Sequence, residues 1–173
     1  MNLFEAIQTR QSIRAYAPQE VEAEKLEAIL NAMVQAPSAG NLQAYEVHVF
    51  HDARTKQALV QAALDQKFLA QAPVVLVFCA HPVRAARYGR RGEQLYCVQD
   101  ATVAAAYAQL AATALGLATC WVGAFDEAAV ARAAALPAGE RPVAILPMGY
   151  AAETPARTSR RKLNELVHRP PAE

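Results

Sequence analysis

The chain has 173 residues, a length that suits one domain of ordinary size. Its formal net charge of +1 gives no case for a nucleic-acid protein, and its basic residues gather in two short clusters, RAARYGRR (84–91) and RTSRRK (157–162), better matched to a small anion. Hydrophobic residues make up 54% of the chain, and much of that excess is alanine, which speaks partly for helix and partly for a second buried surface such as a subunit interface.

Residues 2–9 predict a short helix with Asn2 as its cap and Leu3, Phe4 and Ile7 on one face. The opening MNLFEAIQTR has an early acid and no apolar core segment, so no signal peptide is expected. TRQSIRAYAP breaks the helical pattern. EVEAEKLEAILNAMVQA then predicts an amphipathic helix ending before Pro37, with Leu26, Ile29, Leu30 and Met33 at helical spacing. PSAGNLQ is a loop of turn formers, and YEVHVF alternates as a strand.

Asp52 caps a helix expected to run to about residue 64. APVVLVFCA is an unbroken apolar run and predicts a central strand buried on both faces. After a polar, basic, glycine-containing segment, QLYCVQDATVAAAYAQLAATALG predicts the longest helix, with Gly116 just past its end. That helix is nearly apolar all round, which favours burial of its second face in a homodimer. Thr102, Gln109 and Thr113 interrupt its alanine-rich run, so it is not read as a membrane span.

ATCWVGAF reads as a short strand and turn, and Asp126 caps DEAAVARAAAL. RPVAILPMGY predicts another buried strand, with Pro142 and Pro147 limiting its ends. From Ala151 the chain is polar, with Pro155, Pro170 and Pro171, and is expected to run as an extended arm over another surface. The mixture of helices and strands without strict alternation predicts the α+β class, a mixed or antiparallel sheet surrounded by helices, in one domain spanning residues 1–173.

Several chemistries lack their motifs. There is no GxGxxG after a strand, no P-loop, no GxSxG elbow and no HExxH or other metal-ligand spacing. His48 reads most simply as a sheet residue. The acids fall on solvent-facing helix positions or caps, so paired carboxylates are not expected, and hard chemistry would belong to a cofactor. Cys79, Cys97 and Cys120 each sit in an apolar run without a CxxC pair, as reduced, buried thiols of a cytoplasmic protein do.

Four short pieces remain. In an extended segment Arg10, Ser12 and Arg14 face one way, and arginine suits phosphate because its planar fork stays charged and binds two oxygens. Taken alone, the same pattern reads as a solvated turn. APSAGNLQAY (36–45) puts small and amide side chains on a tight loop, and CWVGAFD (120–126) leaves backbone N–H groups accessible after a strand. PMGY with SRRK returns basic residues late in the chain.

In this order the pieces resemble the FMN-dependent nitroreductase family, over nearly the whole chain. The matching motifs are R-x-S-x-R after a first helix, A-P-S-x-x-N-x-Q near residue 40, W-x-G-x-F-D after the long helix, and P-x-G-Y before a basic tail. GLATCWVGAFDEAAVARAAALPAGERPVAILPMGY looks especially like the short nitroreductase-type subfamily. The resemblance implies an interlocked homodimer with FMN at each of two interface sites and NADH or NADPH as reductant.

It further implies that Arg10, Gln11, Ser12 and Arg14 hold the phosphate, ribityl chain and pyrimidine edge, completed by Arg160 and Arg161. Pro37, Ser38, Ala39 and Asn41 would reach the flavin from the partner chain. The backbone of Gly123, with Ala124 beside it, would point at flavin N5, and Gln66 would approach the pyrimidine ring. No protein residue is implied as an obligatory acid or base. Ala44-Tyr45 departs from the family's frequent Pro-Trp, and Gly123 stands where larger members often carry an acid. The implied activity is electron transfer from NAD(P)H through flavin to a nitroaromatic or quinone. A specialised flavin enzyme of the same family and a flavin-binding protein without turnover remain the alternatives.

Overall fold

The computed structural model describes residues 1–169. A four-stranded antiparallel sheet has the order β1-β2-β4-β3, where β1 is Tyr45–Phe50, β2 Val74–Ala80, β3 Ala118–Thr119 and β4 Arg141–Gly149. The helices are α1 (Leu3–Thr9), α2 (Ala23–Met33), α3 (Ala53–Ala62), α4 (Phe68–Gln71), α5 (Gly89–Arg91), α6 (Cys97–Ala114), α7 (Glu127–Ala133) and α8 (Leu163–Leu166).

Strand β2 is buried along its whole length, and its alternation divides the core in two. Val75, Val77 and Cys79 pack with Leu59 of α3, Leu69 of α4 and Val130 of α7. Val74, Leu76 and Phe78 pack with Ile29 and Met33 of α2 and with Ala101, Ala104, Ala105 and Ala108 of α6. Alanines on α6 let that helix lie close to the sheet, which is why so apolar a helix needs so little bulk.

The caps follow the sequence. Asn2 and Glu5 form a reciprocal capping box on α1, and Asp52 and Asp126 accept from Thr55 N and Ala129 N. Helix α6 ends in a Schellman arrangement, with Leu117 N bonded to Ala112 O at 2.9 Å, Gly116 N to Thr113 O at 3.0 Å, and Gly116 at φ +79°.

Four expectations are corrected. Pro142 and Pro147 lie inside β4 rather than at its limits. Pro142 sits at a register shift opposite Cys79, and Pro147 points its missing N–H towards the short β3 side, where the ladder is already interrupted between Thr119 and Val122. The long helix expected from Gln94 begins as regular α-helix only at Cys97, because a 3-10 stretch over Pro82–Tyr88 leads through α5 into a π turn over Gly92–Tyr96. A Cβ on Gly92 would lie 2.1 Å from Ala85 O, so glycine is what lets the segment fold back on itself.

The acids are not all outside, since Asp100 is only 3% exposed and the Glu140 side chain only 9%. Finally, the arm after Ala151 is extended and exposed but includes the single helical turn α8; Pro170 and Pro171 lie outside the described residues.

Candidate functional site

After α1 the chain runs extended and joins the short edge of the sheet. Ile13 N bonds to Thr119 O at 3.0 Å, in a parallel bridge between Ser12 and Thr119. Ala17 N bonds to Tyr150 O and Ala152 N to Ala15 O, both at 2.9 Å. Ile13 and Tyr16 anchor this segment in the core, and the Tyr16 hydroxyl donates to Ile13 O at 2.9 Å. Burial pushes the Tyr16 hydroxyl well above the usual phenol range, so it remains a donor. Glu153 accepts from Arg14 N and ties the start of the arm to the same segment.

A cavity of about 650 Å³ opens here. Arg10, Gln11, Ser12 and Arg14 line one side, and Arg157, Thr158 and Arg160 return from the arm to line the other. Among the described residues, none of these four arginines has a carboxylate within ion-pair distance. Uncompensated guanidinium groups converging on one hollow attract an anion, and phosphate matches their geometry. The volume lies within the range of small-molecule sites, about 300–1,000 Å³.

A second group adjoins the first through the bridge at Thr119. Next in the chain is Cys120, whose thiol is raised by burial against the opposing influence of Arg14, a Ser12 hydrogen bond and Arg10. Three residues on, Gly123 and Ala124 are exposed, and among the described residues their N–H groups have no hydrogen-bond acceptor. Gln66 fixes this turn by donating from Nε2 to Ala124 O at 2.9 Å and to Ala63 O at 2.9 Å. Just before Gln66, Leu64 and Asp65 hold φ of +57° and +59°, a left-handed pair unusual for non-glycine residues.

The third group is the 36–45 loop. Asp100 of α6 reaches into it and accepts from Ala39 N at 3.0 Å and Ala44 N at 3.1 Å. Ser38 Oγ accepts from Gln43 N at 3.0 Å. Gly40, Asn41 and Gln43 have φ of +55°, +57° and +49°. The left-handed φ of Gly40 favours glycine there, and the tips of Arg87 and Tyr88 lie over its backbone, where a Cβ would displace them.

A single chain therefore brings Arg10, Gln11, Ser12, Arg14 and Arg160 into one cavity. Gln66, Gly123 and Ala124 form the neighbouring turn, while Pro37, Ser38, Ala39 and Asn41 lie on a separate loop that does not line the cavity. Arg161 turns onto α8, donating to Glu165 O at 2.8 Å. Sequence reasoning missed Arg157 and Thr158 on the cavity wall. It also missed Asp100, whose signal was a lone acid in an otherwise apolar helix.

Fold and site define the class, an α+β protein with a helix-clad antiparallel sheet and an arginine-lined cavity at its short edge. More particularly, the chain belongs to the nitroreductase family, whose model matches residues 7–67 and 60–150. A Methanothermobacter thermautotrophicus protein named NADH dehydrogenase/NAD(P)H nitroreductase is 29% identical over 159 residues, 90% of this chain and 80% of that one. The Bacillus subtilis FMN reductase [NAD(P)H] is 31% identical over 70% of this chain and 54% of its own length, so this chain spans about half of that relative. The solved structure of an FMN-dependent nitroreductase from Clostridium difficile superposes with a TM-score of 0.81 at 28% identity, covering 95% of this chain and 97% of that one. No helix among the described residues is long and apolar enough to cross a membrane.

Proposed function

We propose that this chain is an NAD(P)H-dependent flavin oxidoreductase of the nitroreductase kind, acting in the cytoplasm on a small organic acceptor such as a nitroaromatic or quinone. The observation that carries the reading is the cavity whose four arginines have no carboxylate partner among the described residues, beside a turn whose backbone N–H groups are likewise without acceptors there. The names of the relatives, with FMN and NAD(P)H among them, support it.

The residues fit FMN. Arg10, Ser12 and Arg160 are the phosphate ligands, because they are cationic or hydroxyl groups at the cavity wall with no competing acid. Arg14 stands at the pyrimidine edge, where its fixed charge favours negative charge arriving on the ring. Gln11 and Gln66 offer amides, and the Gly123 N–H, with Ala124 beside it, is the donor towards N5. FMN, when bound, supplies the hydride acceptance and electron delivery. The protein's share is to bind, orient and polarise, with no side chain as obligatory acid or base.

Pro37, Ser38, Ala39 and Asn41 complete the site from a second copy, with Arg161 steadying the arm from which Arg160 projects. The dimer also covers the exposed apolar side chains of α1 and α8. The domain is residues 1–173; in its arm, from about 151, residues 157–160 stay on this chain's cavity and the exposed α8 beyond them lies on the partner.

The test is the visible spectrum of freshly purified protein, identification of the released chromophore, and steady-state oxidation of NADH and NADPH with menadione or a nitroaromatic. A yellow protein that releases FMN and turns over bears out the reading. A colourless protein that takes up no added FMN overturns it.

A further inference from the structure

At the opposite edge of the sheet from the arginine cavity, three potential metal ligands meet. In the β1–β2 ladder His48 is opposite Val77 and Glu46 is opposite Cys79. Side chains two apart in a strand share a face, so His48 and Cys79 are diagonal neighbours on one face.

The third residue arrives because of an irregularity. Phe78 pairs with Ala144 but Cys79 with Pro142, so Val143 is an extra residue in β4. In an unbroken ladder Val143 and Arg141 would share the face of Cys79. The extra residue shifts the alternation and delivers Pro142 and Glu140 to that face instead, as bulges re-aim side chains elsewhere. The ligand atoms of His48, Cys79 and Glu140 all lie within 4.8 Å of one another, and His48 Nε2 stands 2.6 Å from Glu140 Oε2. His48 also lies along Phe50, with ring centroids 6.4 Å apart and planes 16° apart, which fixes the imidazole plane.

We propose that His48, Cys79 and Glu140 form a zinc site that clamps β1, β2 and β4 together. Imidazole, thiolate and carboxylate are the donors zinc takes, whereas calcium and magnesium prefer oxygen alone. Three protein ligands leave a fourth position for water. The partly exposed His48 side chain, on the edge strand, gives the ion its approach. Zinc bonds of about 2.0–2.3 Å require the His48–Glu140 hydrogen bond to open. The ion takes the place of the Cys79 thiol proton, which passes to solvent, while the imidazole binds through Nε2 and carries its proton on Nδ1. Oxidation states do not change.

The experiment uses the full chain as purified, with or without bound flavin, dialysed against a chelator and then titrated with Zn²⁺ by calorimetry and with Co²⁺ by absorption in the red, beyond any flavin bands. One ion should bind per chain, with the intense visible bands of tetrahedral cobalt and a rise in melting temperature. His48→Ala and Glu140→Gln should each weaken binding at least about 10-fold, and Cys79→Ser should shift the cobalt spectrum away from thiolate coordination. His51→Ala, altering an exposed histidine outside the cluster, should change nothing. Absence of binding to the parent protein, or equal binding by the parent and His48→Ala, overturns the proposal. Should Cys79→Ser fail to fold, the two variants nearer the surface still decide the matter. The readout does not depend on turnover, so a failed flavin assignment leaves this result intact, and the reverse.

Discussion

At the scale of single residues, the cavity and the core separate cleanly. Arg10 closes α1 and lines the arginine cavity with no acidic partner among the described residues, so the fold gains little from its charge. Arg10→Ala should therefore weaken FMN binding by roughly 10- to 100-fold, the loss of one charge-assisted contact of about 1.5–3 kcal/mol, while leaving the apoprotein's melting temperature nearly unchanged. An equal drop in apoprotein stability would make Arg10 structural. Asp100 is the opposite case. Its substitution by alanine leaves the buried Ala44 N–H without an acceptor, at a cost of about 1–3 kcal/mol, and less for Ala39, which water reaches. Urea denaturation should register that loss. The thiols give a third check. Cys79, Cys97 and Cys120 are buried and unpaired, and burial raises all three above the usual thiol range, Cys79 to about 12. A thiol reagent should label none in the native protein at neutral pH and three after unfolding; rapid native labelling would mean that the core opens easily.

At the scale of elements, two glycines that look alike in sequence have different reasons. Gly116 holds φ +79° in the cap of α6, and a Cβ there would meet nothing within 4 Å. Gly116→Ala is a pure backbone penalty of about 1 kcal/mol, expected to lower the melting temperature by about 2–4 °C whether or not flavin is present. Gly123 has no positive φ, and its Cβ would make ordinary contact with Trp121 Nε1 at 3.6 Å. Gly123→Ala should leave apoprotein stability unchanged and weaken FMN binding, because the proposed ring lies against that backbone. A flavin affinity equal to the parent's would remove Gly123 from the site.

The same contrast explains what was legible beforehand. Caps, the apolar run of β2 and the end of α6 depend on residues close in sequence, and YEVHVF marks β1 to the residue. The prolines inside β4, the wound 82–96 segment and the reach of Asp100 into the 36–45 loop depend on what lies beside them in space. Of the site, Arg10, Ser12 and Arg14 were visible as a pattern, but Arg157 became part of a wall only when the arm folded back.

At the scale of the whole molecule, the decisive feature is apolar surface left uncovered by a single chain. Phe4 is 75% exposed, Leu3 61% and Ile7 51%, on a helix that rests against α6, while Leu163 and Leu166 on the arm are 68% and 55% exposed. So much exposed apolar surface on two short helices supports the proposed dimer. In a two-fold dimer each residue counts twice, and burying one such side chain stabilises by about 1.5–3 kcal/mol. Leu3→Asp combined with Phe4→Asp, both outside the cavity lining that includes Ile7, should thus convert the proposed dimer into monomers at micromolar concentration, measured by light scattering. If the proposed interface site is right, the monomer should also lose FMN, because the loop proposed to complete the neighbouring cavity, with Pro37, Ser38, Ala39 and Asn41, is then gone. A monomer that keeps the parent's FMN affinity would show that each chain holds its flavin alone. A dimer untouched by both charges would place the interface away from α1. Only the joint loss of dimer and flavin ties the exposed helix and the arginine cavity to one assembly.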